Sequence, residues 1–317
     1  MKRILWIGIV ACAGYALLLP ETAYSDTQKR LGQAVFSVHK VDHGARVAGM
    51  GGAFTAIADD ISTIFVNPAG LTSVEEREYT LSYTRWLVDT RFYSGALAYN
   101  TTRGVVGLAV MAFSVPDVEE TTIYQPVGTG RMLEIGDFSI GASYATKLTD
   151  KLSFGFQVRW TQETIDVDKL TGVDFNFGTT FNTGFRSLRL GMAFKNLGKD
   201  IESRELNYQM PVAFDFGFAM EVFGERGSDL SYLTLTGESH YATDYSEPRY
   251  RIGGELWMQN AFALRAGVKP GYDTEVYSLG LGLKVKPVEG KVVRVDFAYS
   301  DGNDFEPPLR FSLSGSF

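Results

Sequence analysis

From Glu78 to the last residue, apolar and polar positions alternate almost without a break. Leu152, Phe154, Phe156, Val158 and Trp160 alternate with Ser153, Gly155, Gln157, Arg159 and Thr161. Val173, Phe175, Phe177 and Phe181 alternate with Asp174, Asn176, Gly178 and Thr180; Val212, Phe214, Phe216, Phe218 and Met220 alternate with Ala213, Asp215, Gly217, Ala219 and Glu221. A period of two places successive side chains on opposite faces of a strand. The pattern predicts about fourteen strands: Glu78–Leu87, Arg91–Asn100, Arg103–Ser114, Asp137–Lys147, Lys151–Glu163, Gly172–Asn182, Arg186–Leu197, Met210–Phe223, Leu230–Tyr241, Glu247–Met258, Ala261–Lys269, Val276–Lys286, Lys291–Ser300 and Pro308–Phe317.

The polar face decides the class. A soluble sandwich also alternates, but its outer face carries Lys, Glu and Thr and is not this rich in glycine. A transmembrane barrel turns its apolar face to lipid and its small, polar face to the lumen. The predicted strands are about ten residues long, as a tilted membrane strand requires, whereas soluble strands more often run about five or six. No internal run reaches the roughly 18–20 apolar residues of a membrane helix, and a closed barrel needs none. The expected fold is therefore all-β, a transmembrane antiparallel barrel of about fourteen strands.

Connections alternate in length. Val115–Gly136, Gly198–Gln209 and Asp301–Pro307 are long; Thr101-Thr102, Thr149-Asp150, Thr183–Phe185, Gln259-Asn260 and Pro287–Gly290 are short. Barrels have short periplasmic turns and longer outer loops, so the C-terminus is expected on the periplasmic side. The long loops are acidic, with Asp117, Glu119, Glu120, Glu134, Asp166, Asp168, Asp200, Glu202, Glu205, Asp244, Glu247, Asp273, Glu275, Asp301, Asp304 and Glu306, read as a solvated face. Tyr83, Trp86, Trp160 and Tyr299 toward the outer side, and Tyr99 and Trp257 toward the inner, are expected in the two interfacial aromatic belts. The alternating end Leu309, Phe311, Leu313, Gly315, Phe317 resembles the C-terminal signal read by outer-membrane insertion machinery, with Phe317 as its last residue.

Ahead of the strands lie two different segments. Residues 1–25 read as a signal peptide: Lys2-Arg3, an apolar Ile4–Leu19, Pro20, then Ala23-x-Ser25 at the cleavage positions. Cys12, the one cysteine, leaves with it, so a thiolate site is not expected in the mature chain. Residues 26–77 form a polar, periplasmic lead-in to His43 and then an apolar, glycine-rich stretch. That stretch includes Arg46, Gly49, Met50, Gly51, Gly52, Asp59, Asp60, Asn67, Pro68, Ala69 and Gly70. Three glycines in four positions allow close backbone approach and positive φ, while Asp59-Asp60 and Asn67-Pro68 are cap and turn chemistry. It is too apolar for a surface loop and too broken for a strand. It is expected to plug the lumen of the barrel formed by 78–317.

The run Arg46-x-x-Gly-Met-Gly-Gly-Ala-Phe-Thr-Ala-x-Ala-Asp-Asp60, followed by Asn67-Pro-Ala-Gly-Leu71, resembles the N-terminal signature of the PorV/PorQ family of outer-membrane barrels, relatives of the FadL fatty-acid transporters. Asn67-Pro68-Ala69 is similar to the hatch motif of FadL-like proteins. The motif covers under a tenth of the chain. The resemblance implies a fourteen-strand barrel with a hatch that passes small hydrophobic molecules. The alternative it implies is the PorV role, an accessory barrel of a type IX secretion system that receives secreted protein cargo; a structural barrel is the third reading. Gly49-x-Gly51 lacks the third glycine and the βαβ unit of a nucleotide loop.

By parity, Arg159, Asp174, Arg189, Lys195, Asp215, Glu221, Glu238, Arg251, Glu255, Arg265, Lys284, Arg294, Asp296 and Arg310 point into the lumen. Unpaired charges in a confined space are costly, so they are expected to pair with one another and with Arg46, Asp59, Asp60 and Asn67. His39 and His43 are spaced to share a helical face but read as part of a solvated lead-in. Ser239 and His240 fall on opposite strand faces with no nucleophile motif, so no enzyme is expected. No cofactor, metal or nucleic-acid partner is expected; the expected partners are membrane lipid, the insertion machinery, and a small hydrophobic molecule or secreted cargo.

Overall fold

The computed structural model describes residues 34–116, 118–203, 206–227, 230–245, 247–288 and 291–317. The predicted signal peptide with Cys12, and the loop acids Asp117 and Glu205, lie outside the described residues. Among the described residues, sixteen strands follow one another: β1 (Arg77–Arg85), β2 (Arg91–Thr101), β3 (Gly104–Val115), β4 (Ile135–Lys147), β5 (Leu152–Ile165), β6 (Asp168–Asn182), β7 (Arg189–Gly198), β8 (Ile201–Ser203), β9 (Leu206–Tyr208), β10 (Ala213–Phe223), β11 (Tyr232–Ala242), β12 (Arg249–Met258), β13 (Phe262–Val268), β14 (Tyr277–Val288), β15 (Lys291–Ser300) and β16 (Leu309–Ser316). All but β8 and β9 form one closed barrel of fourteen strands, each antiparallel to its neighbours in sequence. The seam joins the first strand to the last, from Glu78 opposite Ser316 to Arg85 opposite Leu309.

Closure satisfies every edge, which lets a sheet sit in hydrocarbon. Leu81, Leu97, Leu279 and Leu281 are more than half exposed, and Phe138, Phe175, Phe194, Phe216, Phe218 and Phe311 are exposed beside them on the outer wall. Ser139, Asp174, Asp215 and Ser312 beside them in sequence are buried inside, as are Arg251 and Asp296, which follow the outward Tyr250 and precede the outward Phe297. The parity of the sequence therefore maps onto an apolar outside and a polar inside.

Three expectations change. The connection expected between Glu163 and Gly172 is a hairpin whose pairing continues to Ile165 opposite Asp168, leaving Asp166-Val167 as the turn, with Asp166 at φ 58°. β-Branched Thr164, Ile165 and Thr171 favour extended backbone, and the ladder needs no apolar face once clear of lipid. The loop after β7 contains the ribbon β8–β9, paired from Ile201 opposite Tyr208. Two aromatics leave the girdle. Trp257 is buried inside, with the Arg265 guanidinium 5.7 Å from its ring, because it shares the parity of Arg251 and Glu255. Trp86 sits under the Arg310 guanidinium at 4.9 Å and edge-on to the buried Phe92. Tyr83, Tyr99 and Trp160 do face outward.

Candidate functional site

Residues 34–76 run through the barrel before its wall begins. At the long-loop end, Val35 N–H donates to Gln209 O at 3.1 Å and Phe36 N–H to Glu163 Oε2 at 2.7 Å. Val35 and Phe36 pack there on Met210, Ile201 and Tyr208. A short helix, Ala45–Gly49, touches β13 to β16, and Ala45 N–H donates to Ser312 Oγ at 2.7 Å. Two 3₁₀ turns, Ile61–Phe65 and Pro68–Ser73, then lead to β1 at the end that carries the short turns and Phe317. Met50, Phe54, Ile57, Ile61, Ile64 and Leu71 are almost completely buried. The segment thus fills the lumen.

The glycines of the inner wall explain how it fits. A Cβ at Gly253 would stand 2.4 Å from Met50 O, at Gly267 2.1 Å from Gly51 N, and at Gly191 2.3 Å from Thr55 O. A Cβ at Gly155 would stand 2.2 Å from Ala69 N, and at Gly178 1.9 Å from Asn67 Oδ1. At the first four glycines the plug backbone lies directly on wall backbone, and at Gly178 the Asn67 side chain does. Gly49 and Gly280 face each other in the same way, and Gly51 needs its φ of +63° as well as the space.

Asn67 ties three parts together. Its Oδ1 accepts from Ala69 N–H at 3.1 Å and caps the turn that Pro68 opens. Its Nδ2 donates to Thr55 O within the plug at 2.9 Å and to Thr179 O of β6 at 3.1 Å. Asp60 caps the preceding turn through Ser62 N–H at 2.8 Å. Gly70 packs under Thr63, whose hydroxyl donates to Asn67 O at 2.6 Å.

Charge holds the plug to the wall. Arg46 donates to Asp59 and Asp60 within the plug, each at 2.6 Å, and to Glu255 of β12 at 2.6 and 2.8 Å. Arg265 binds Glu255 at 2.7 Å and Asp296 at 2.8 Å, and Arg294 binds Asp60 at 2.7 Å. Arg226, from the β10–β11 turn, reaches Asp59. Burial disfavours the Arg46 charge, but Asp59, Glu255 and Asp60 outweigh it and hold its pKa above the ordinary arginine value. Burial likewise pushes Asp60 up, and Arg294 with Arg46 holds it below the usual carboxylate range. Further inward charges pair within the wall: Arg159 with Asp174 at 2.9 Å, Arg189 with Glu221 at 2.9 Å, Lys195 with Asp215 at 2.5 Å, and Arg251 with Glu238 at 3.2 Å; the His240 ring also hydrogen-bonds Asp215, and Lys284 donates to Asn260 Oδ1 at 3.1 Å in place of a carboxylate.

The lead-in to the plug corrects the sequence reading. Residues 34–43 are not a solvated approach; they sit in the lumen, with 34–36 at the end opposite Phe317. His39 and His43 are buried, and His39 Nε2 lies 3.0 Å from Thr161 Oγ1. Asp42 meets Lys269 at 2.5 Å and Arg251 at 3.9 Å, and Lys40 meets Asp244. Glu275, read as a solvated loop acid, is buried against Lys269 and Arg310. The interleaved Val35, Phe36, Val38 and Val41 are the sequence signal for a buried strap. Among the described residues, no group of three or more His, Cys, Asp or Glu side chains is arranged to hold a metal. Phe317 N–H donates to Arg77 O at 3.2 Å, and its ring lies 6.0 Å from Tyr79 across the seam.

Little room is left. Between His43, Phe65, Lys195, His240 and Arg251 lies a cavity of about 40 Å³, space for about three or four waters at about 10–15 Å³ each. A cavity of about 150 Å³ is the scale that admits benzene. At the short-turn end, a wider cavity of about 690 Å³ lies between the β6–β7 and β10–β11 turns, lined by Arg186, Arg189, Glu221 and Arg226. Beside the small cavity the wall is irregular. The register of β6 against β7 shifts between Phe175 and Phe177, and Asn196, at φ 60°, turns inward to donate to Pro211 O at 2.8 Å.

No curated protein matches the chain. Among solved structures, the Ralstonia pickettii toluene transporter TbuX aligns with a TM-score of 0.61 at 15% identity, over 89% of this chain and 99% of that one. The Pseudomonas putida toluene transporter TodX aligns with a TM-score of 0.58 at 10% identity, over 86% and 96%. A Pseudomonas aeruginosa FadL homologue aligns at 0.54 and 12%, over 86% and 97%. At these identities the likeness is one of fold, the FadL-like barrel. Residues 13–222 match the model of an uncharacterised protein family, UPF0164; this is well over half of the sequence, and the chain belongs to that family.

Proposed function

We propose that this protein is an outer-membrane channel for small hydrophobic molecules, closed in the described state by residues 34–76. The observation that carries the proposal is how the plug is held. The wall closes its own hydrogen-bond ladder and does not depend on the plug. Much of the grip on the plug is buried ion pairing, and buried pairs add less net stability than apolar packing of the same volume. A segment held in this way can move while the barrel stays intact. Among the described residues, the lumen cavity between His43 and Arg251 is about 40 Å³, too small for an aromatic ring, so passage there requires that movement, with the cavity beside Arg189 and Arg226 as its outlet. The hydrophobic class of cargo follows the toluene transporters that share the fold. Kinship with PorV/PorQ barrels, resting on the Arg46–Leu71 motif, and the short-turn end as the periplasmic end, are parts of the same proposal.

The test is uptake of labelled toluene by cells that lack other hydrocarbon channels, with and without this chain. Faster uptake with the chain is expected. Equal uptake in correctly assembled barrels would remove the transport reading. A second reading, docking of secreted protein cargo, draws on Ile123, Tyr124 and Val127 of the β3–β4 loop, each at least 88% exposed. Loss of a surface-exported protein on deletion, with toluene uptake unchanged, would favour it.

A further inference from the structure

On the outer wall near the long-loop end, Arg85 of β1 stands directly opposite Arg91 of β2. Both share the outward parity of Leu81, Tyr83, Tyr93 and Leu97, all exposed. Like charges directly opposite each other on one face of a strand pair repel. Arg85 is compensated by Asp89 at 3.2 Å and by Glu306 from the β15–β16 loop. Arg91 is exposed and has no partner among the described residues. The loops around this end are acidic, so an unmatched arginine on the wall is a local exception.

Below this pair the surface changes in the order of a lipid molecule. One step toward the membrane, Tyr83 stands opposite Tyr93, with ring centroids 5.3 Å apart. Tyrosine at that position marks the headgroup level of a bilayer. The next steps are Leu81 opposite Gly95 and Tyr79 opposite Leu97. Gly95 has no side chain, and a Leu81 methyl leans over it, 3.1 Å from where a Cβ would stand, so the pair presents a flat apolar surface on which an acyl chain can lie. Guanidinium, phenol and hydrocarbon therefore follow one another down two adjacent strands.

We propose that Arg85, Arg91, Tyr83 and Tyr93 form a docking site for the headgroup phosphate of a phospholipid, whose acyl chains run along Leu81 and Leu97. The phosphate supplies the anion that Arg91 lacks and relieves its repulsion with Arg85; guanidinium suits phosphate because its donors form a planar fork. The site borders the Leu87–Asp89 turn, where Val88 and Asp89 both hold positive φ, 55° and 56°. It also borders the seam, which Glu306 spans to reach Arg85.

The experiment is native mass spectrometry of the full chain in non-ionic detergent, titrated with phosphatidylglycerol or with a diacylglycerol of the same chains. Wild type is expected to retain one phosphatidylglycerol more tightly than the rest, and no diacylglycerol comparably. Arg91→Gln should weaken that first binding by about fivefold, the worth of one arginine at an anionic lipid surface. Arg91→Lys should keep most of it. Lys199→Gln, the same charge change in the loop after β7, should leave it unaltered. Equal retention by wild type and Arg91→Gln, or diacylglycerol competing as well as phosphatidylglycerol, overturns the proposal. Migration of unheated samples on gels reports barrel closure for each variant, so a lipid effect is separable from misassembly.

Discussion

Gly253 and Gly254 are adjacent in β12 and face opposite ways, so alanine at each position isolates the fit of the plug. A Cβ at Gly253 would meet Met50 O at 2.4 Å and Met50 C at 3.1 Å, backbone atoms that cannot rotate away. A Cβ at Gly254 would meet a methyl of Leu235 at 3.3 Å, the mobile tip of a lipid-facing side chain. Either alanine restricts the unfolded chain, a gain of about 0.4–1 kcal/mol common to both. Overpacking at Gly253 costs about 1–3 kcal/mol, charged to the docked plug alone. The difference of about 2 kcal/mol is roughly thirtyfold in the ratio of released to docked plug. Single-channel conductance in planar bilayers should therefore show frequent openings for Gly253→Ala and wild-type tightness for Gly254→Ala. If both stay as tight as wild type, or both leak alike, the wall glycines are not what seats the plug.

Arg46→Met should loosen the plug by about 3 kcal/mol, the lower end for breaking a buried pair, because Asp59, Asp60 and Glu255 keep Arg226, Arg294 and Arg265; unaltered conductance would show that Arg46 is not its anchor. Phe216→Arg, on the lipid face, should cost about 2–4 kcal/mol in urea titrations in vesicles, against under about 1.5 kcal/mol for Phe216→Leu; equal costs would mean that the outer face is misassigned. Burial, with Arg159 and Arg310 nearby and Asp42 opposing, lowers the His43 pKa from 6.5 to about 4, so the docked histidine is neutral. A released plug takes up a proton at the ordinary value, so docking is strongest above pH 6.5. It weakens as pH falls toward 4, by about 3 kcal/mol in all. Conductance should rise between pH 7 and 4.5; burial also holds His39 of the plug well below its ordinary value, so His43→Gln should reduce the rise and replacing both histidines should abolish it, and an undiminished rise in His43→Gln would refute the assignment.

The wall was legible because lipid imposes a single rule on alternate residues, and Phe154-Gly155-Phe156 obeys it plainly. The glycines were legible as a small inner face; their purpose was not, since a plug pressed on Gly155, Gly178, Gly191, Gly253 and Gly267 leaves no local mark. The pairing of Glu255 and Arg294 with Arg46 and Asp60 followed from parity and the cost of lone charges. The burial of His39, Asp42 and His43 did not follow. Their segment has no period, and their partners Thr161, Lys269 and Arg251 lie more than a hundred positions away. Trp257 was misplaced by weighing residue type above parity, although Glu255 on the same face pointed inward. The β5–β6 hairpin was missed because hydrophobic alternation stops where lipid stops, while hydrogen bonding continues.

The chain places the contents of its barrel before the barrel itself. Residues 34–76 span the lumen end to end, and the seam around them is made by the first and last strands. Strand pairing can proceed hairpin by hairpin along most of the wall, each step closing a short loop. The seam must wait for the whole sequence and pays the loop-closure entropy of nearly all of it. The wall must therefore be assembled around the plug, or the plug drawn through a finished ring. The close backbone contacts at Gly253 and Gly267 make drawing the whole segment through a finished ring the costlier route, which favours wrapping. Refolding should then show a slow last phase shared by plug protection and seam formation, slowed together by any change that delays the docking of Arg46.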